Sequence, residues 1–146
     1  TEVVRFLVEE GKADVDKVRT DTGSTPLYMA AQKGHTEVVR FLVEEGKADV
    51  DKVRTDTGST PLYMAAQKGH TEVVRFLVEE GKADVDKVNN NRSTPISLAA
   101  FYGHLEVVQF LLSKGADCTI EDAWGDTPLA NAKAGGHAEV AAALTL

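Results

Sequence analysis

The chain repeats itself. The stretch STPLYMAAQKGHTEVVRFLVEEGKADV starts at Ser24 and again at Ser59, identical over 27 residues. Residues 1–35 match residues 36–70 at all 35 positions, and Thr71–Val88 begins a third copy that then diverges. The triplet TPL stands at Thr25, Thr60 and Thr127, and TPI at Thr94, giving spacings of 35, 34 and 33. A period of this size belongs to stacked-repeat proteins, where no unit buries its apolar face alone and each copy is the packing partner of the next. Identity this complete marks either a recent duplication or deliberate construction.

Each unit reads as two short helices. In TPLYMAAQKGH, from Thr60, the threonine suits an N-cap and Pro61 suits the first helical position, which needs no N–H. Leu62, Ala65 and Ala66 share one face. Gly69 ends the helix where a positive φ is needed. The second helix starts at Thr71. Val73, Val74, Phe76, Leu77 and Val78 form its apolar stripe, with Glu72, Arg75, Glu79 and Glu80 facing water. Glu72 lies in the first turn, which favours negative charge, and Gly81 is expected to close the helix. The connecting KADVDKVRTDTGS is polar and turn-rich, so it suits an extended loop with a hairpin tip at DTG.

The pattern T-P-L-x-x-A-A-x-x-G-H-x-E-V-V-x-F-L-V followed by G-x-A-D-V resembles the ankyrin repeat. The resemblance covers essentially the whole chain and implies an all-α solenoid of stacked helix-turn-helix units with protruding hairpin loops. It implies one domain, 1–146, made of a half repeat at 1–18 and repeats at about 19–53, 54–88, 89–121 and 122–146. Tips and first helices would form a concave face. The chain departs from the family in several places. Lys12, Lys47 and Lys82 are extra residues after the glycine, for which longer loops on an unchanged fold are expected. The family's histidine after T-P-L is replaced by Tyr28, Tyr63, Ser97 and Ala130, so its hydrogen bond is in question.

The two ends differ. The chain begins inside a second helix whose apolar side (Val3, Val4, Phe6, Leu7) lacks a preceding repeat. The expectation is a longer array, or end-to-end self-stacking of another molecule on this half repeat. At the other end Lys133 replaces the alanine of earlier copies (Ala31, Ala66, Ala100), as suits a terminal unit.

Composition narrows the partners. The net charge is −7, and residues 105–146 carry six acidic against two basic side chains. An acidic surface repels phosphate backbones, which argues against nucleic acid and anionic membranes. No apolar run approaches the roughly 20 residues that span a bilayer, and the N-terminus lacks the pattern of a signal peptide. The expected setting is intracellular and cytoplasmic, with the nucleus left open. The single cysteine, Cys118, excludes an internal disulfide.

Candidate chemistry is weak everywhere. His35, His70, His104 and His137 share one slot between the helices, so neighbours lie about 10 Å apart, the spacing of packed helices. That is too far to share one ion, and the resemblance implies that they bond the loop backbone. The pairs Glu9–Glu10, Glu44–Glu45 and Glu79–Glu80 recur with the period and read as a solvated face. GKAD lacks the spacing of a phosphate loop. Asn91-Arg92-Ser93 fits the glycosylation pattern, which matters only in a secreted chain. No catalytic, metal or cofactor residue is expected, and the chain reads as no enzyme.

What remains is where the copies differ. The resemblance implies that partner-facing positions are the tip and two residues late in the first helix. These are Asp21, Thr22, Ser24, Gln32 and Lys33, then Asp56, Thr57, Ser59, Gln67 and Lys68, which are identical and polar. The third unit has Asn90, Asn91, Ser93, Phe101 and Tyr102, and the fourth Ala123, Trp124, Asp126, Ala134 and Gly135. Phe101, Tyr102 and Trp124 thus replace glutamine, lysine and threonine, and three exposed aromatics would make an anchoring patch. Asp126, Glu121 and Asp122 nearby favour a basic segment on the partner. The expected function is a non-catalytic protein-binding module. The alternatives are a structural spacer in a larger protein and a designed or idealised scaffold with no natural partner.

Overall fold

The computed structural model describes residues 14–145. The expectations for the leading half repeat and for self-stacking through it fall largely on residues 1–13, outside the described residues.

Among the described residues the secondary structure is helical: α1 (Pro26–Lys33), α2 (Thr36–Glu44), α3 (Pro61–Lys68), α4 (Thr71–Glu79), α5 (Pro95–Phe101), α6 (Leu105–Ser113), α7 (Pro128–Ala134) and α8 (Ala138–Leu144). They form four pairs. The first helices α1, α3, α5 and α7 stack in order, and α2, α4, α6 and α8 form a second layer behind them. No described helix is long and apolar enough to cross a membrane.

Local chemistry explains the starts. Thr25, Thr60, Thr94 and Thr127 each accept, through Oγ1, the backbone N–H three residues on, at 3.1, 3.0, 3.2 and 3.3 Å. A proline follows each cap. Losing such a cap costs about 1 kcal/mol. Helices α1 and α3 end as expected on left-handed glycines, Gly34 at φ 71° and Gly69 at φ 74°, whereas in α5 and α7 the left-handed glycine, Gly103 or Gly136, comes one residue after the cap.

The second helices end differently from expectation. Gly81 does not close α4. Glu80 is the cap residue, and Lys82 takes the left-handed position at φ 57°, as Lys47 does at φ 56° after α2. The Ala83 N–H then reaches back to the Leu77 carbonyl at 2.9 Å. Gly81 is needed for space, since a Cβ there would lie 2.8 Å from the Leu77 carbonyl oxygen. In the third unit, which lacks the extra lysine, Gly115 is the left-handed residue at φ 82°. The inserted lysine is absorbed in this turn.

The core runs the length of the stack. Leu27, Leu62 and Ile96 are wholly buried, with Ala31, Ala66 and Ala100 beside them where the first helices meet closely. Val73, Val74, Phe76 and Leu77 are buried and Val78 half-buried. Each large aliphatic side chain contributes about 1.5–3 kcal/mol by leaving water. Arg75 is exposed, yet its guanidinium lies over the Phe110 ring at 4.8 Å, as Arg40 lies over Phe76 at 4.8 Å. At α7 the pattern loosens, with Leu129 half-buried and Lys133 exposed.

Polar bonds join unit to unit. His70 Nε2 sits 2.9 Å from the Gln32 carbonyl and His104 Nε2 2.8 Å from that of Gln67. Carboxylates do the same in the long loops. Asp16 accepts from the Asp49 N–H, Asp51 from Asp84 and Asp86 from Asp117, at 3.1, 3.2 and 2.9 Å.

Candidate partner-binding face

The loops between units close on themselves as tips. Arg54 N–H donates to the Ser59 carbonyl and Gly58 N–H to that of Arg54, both at 2.8 Å. Arg19 to Ser24 and Asn89 to Ser93 repeat the outer bond. The tips also bond to one another: Asn90 N–H donates to the Thr57 carbonyl at 3.0 Å, and Ala123 N–H to that of Asn91 at 2.9 Å.

Charges at the first two tips are internally paired. Arg54 forks onto Asp56, Nε to Oδ1 at 2.6 Å and Nη2 to Oδ2 at 2.8 Å. Arg19 holds Asp21 in the same way, at 2.9 and 2.7 Å. The Arg19 bond draws the Asp21 carboxyl down to about 2, and Arg54 holds Asp56 below the usual carboxylate range. Asp56 is therefore half of a neutral pair and not a free anion. The fork was not anticipated from the sequence, although R-x-D recurs there at Arg19 and Arg54.

Asp56, Thr57, Gln67, Asn90 and Asn91 line one open groove of 330 Å³. Lys68 is exposed at the end of α3. The groove floor holds residues that sequence reasoning did not assign to the face. Tyr28 and Tyr63 are almost fully buried there, and Met64 is half-buried. The Tyr63 hydroxyl accepts from Asn89 Nδ2 at 3.1 Å, and burial pushes it up to about 12. Arg54 lies over the Tyr28 ring, 5.9 Å from its centroid. So the tyrosines that replace the family's histidine hold the tips in their own way. In the third unit Ser97 Oγ instead accepts from Thr94 Oγ1 at 3.1 Å.

The aromatics lie beyond the groove. Phe101 and Tyr102 are 39% and 47% exposed and meet edge to face, with centroids 5.1 Å apart and planes at 84°. Tyr102 also stacks on His104 at 6.5 Å. Trp124 is 71% exposed on the fourth tip, and no ring contact joins it to that pair among the described residues. Glu121 and Asp126 are exposed beside it.

Asp122 departs from expectation. It is 8% exposed, so it presents little charge to a partner. Its Oδ1 accepts the N–H groups of Trp124 and Asp126 at 3.0 and 2.9 Å, and its Oδ2 accepts from Asn131 Nδ2 at 3.3 Å. Two N–H groups of one short turn and a side-chain amide of α7 need an acceptor here, and this buried carboxylate supplies it.

Among the described residues no three His, Cys, Asp or Glu side chains converge as a metal site. Two of the four histidines bond the carbonyls named above. Burial raises the Cys118 thiol above its ordinary range.

The family model for ankyrin repeats (3 copies) matches residues 1–54 and 46–122. Comparison with curated proteins gave no match. Ankyrin repeats are in general protein–protein interaction modules and are typically non-catalytic. With its capped helix pairs, stacked layers and paired tips, the chain belongs to the ankyrin repeat family.

Proposed function

We propose that this chain is a non-catalytic module that holds a partner protein on the face made by its tips and first helices. One observation carries the reading. Phe101, Tyr102 and Trp124 are the largest exposed apolar side chains described, and they stand where the identical first and second units have glutamine, lysine and threonine. Exposed, preset aromatics supply contact area at small entropic cost, which is why they recur as binding anchors. Glu121 and Asp126, with Asp122 withdrawn, favour a basic group on the partner segment that lies over Trp124. Gln67, Lys68, Asp56, Thr57, Asn90 and Asn91 would extend the contact toward the earlier units.

Affinity capture with two baits tests this. One is the chain and the other carries Phe101→Ala, Tyr102→Ala and Trp124→Ala, with helical content shown to be equal. The proposal expects a protein retained by the first bait and lost by the second. A protein retained equally by both would remove the aromatics from the site. Retention by neither would favour a structural spacer.

A further inference from the structure

The groove between the second and third units differs in chemistry from the aromatic positions. Of the residues that line it, only Arg54 and Asp56 carry charge, and they neutralise each other in the fork. Of the floor residues, Tyr28 and Tyr63 are 1% and 6% exposed, and half-buried Met64 supplies its apolar part. What the walls offer is carboxamides. Asn89 and Asn90 spend their side-chain amides inside the protein, on the Tyr63 hydroxyl and the Asp56 carbonyl. The side chains of Gln67 and Asn91 have no hydrogen-bond partner among the described residues, and both reach solvent.

A carboxamide both donates and accepts. So does each peptide unit of a main chain, whose unpaired N–H and C=O must find partners when covered. A charged side chain placed here would lose water and meet no net counter-charge, which is costly.

We infer that this groove takes an uncharged, extended peptide segment, bound through its main chain to the carboxamides of Gln67 and Asn91. The inference rests on the protein-binding reading and specifies a partner segment different from the basic one over Trp124. Arg54 and Asp56 keep the groove neutral and hold its tip in place, so they act as positioning residues.

Phage-displayed random dodecapeptides panned on the intact chain supply the probes, and recovered peptides are synthesised and titrated. The expected peptides have net charge near zero. Their affinity changes less than about twofold between low and high salt, because no net charge is screened. Gln67→Ala and Asn91→Ala each weaken them about three- to tenfold, the size of one or two hydrogen bonds. The triple aromatic variant binds them as the parent does. Unchanged helical content and melting in each variant separate lost contacts from lost fold. Basic peptides with steep salt dependence, or peptides lost only in the aromatic variant, would overturn the groove assignment and leave the protein-binding reading standing. Recovery of no peptide above the bare surface would also overturn it, while the two-bait capture would still decide the wider reading.

Discussion

His70 reaches across the boundary between two units to the carbonyl of Gln32, Nε2 to oxygen 2.9 Å, and its ring lies against Gly34. A Cβ on Gly34 would come within 2.7 Å of Nδ1, at a residue whose φ is 71°. Gly34→Ala should therefore cost about 2 kcal/mol or more, part from the left-handed backbone and part from the ring. His70→Ala should cost about 1 kcal/mol for the bond. Because the second change makes room for the first, the double variant should lose less than the sum. Urea unfolding of the four proteins measures this, and strict additivity would contradict the contact.

Lys82 occupies a left-handed position that Gly115 fills in the next unit. Lys82→Gly should stabilise the chain by about 0.5–1 kcal/mol, the relief of φ set against glycine's looser unfolded state. Lys47→Gly should gain less, since Lys47 Nζ donates to the Glu44 carbonyl at 2.7 Å. The urea midpoint should rise at constant slope. A fall for Lys82→Gly would mean the turn is assigned wrongly.

The helices, their caps and their buried faces were legible because the signals are local. Thr-Pro fixes a start, and Leu62, Ala65 and Ala66 recur at the helical period. The closing turn was misjudged because one inserted lysine moves the left-handed position off Gly81. The face was legible only as positions. Whether Asp56 is a free charge, or Asp122 a buried strut, depends on where a loop turns back on itself, and no periodic signal encodes that. The floor formed by Tyr28 and Tyr63 needs two units side by side to exist at all.

Leu62 is wholly buried between neighbours, and Leu129 is half-buried. Leu62→Ala should cost about 2–5 kcal/mol, and Leu129→Ala clearly less. Equal losses in denaturant melts would contradict the looser packing at α7.

The Tyr63 hydroxyl is pushed by burial to about 12, above its ordinary value of about 10. A group whose pKa is raised on folding contributes stability that is whole below the unfolded value and fades as pH rises through the folded one. The chain should lose stability from about pH 10 upward, and Tyr63→Phe should flatten that loss while giving up the Asn89 bond. Tyrosinate absorbance followed against pH should lose its latest-titrating component in the variant. An unchanged alkaline profile would contradict the burial of this hydroxyl.

The most direct test of the binding face is calorimetric titration of the captured partner against two surface variants. One carries the Phe101→Ala, Tyr102→Ala and Trp124→Ala changes on the tip face. The other carries Glu72→Ala, Glu79→Ala and Gln109→Ala, all exposed on the second-helix layer. The account predicts that affinity falls at least about a hundredfold for the first, as expected when several anchors are removed, and stays within about twofold for the second. The opposite pattern, with binding lost only in the second-layer variant, would contradict it.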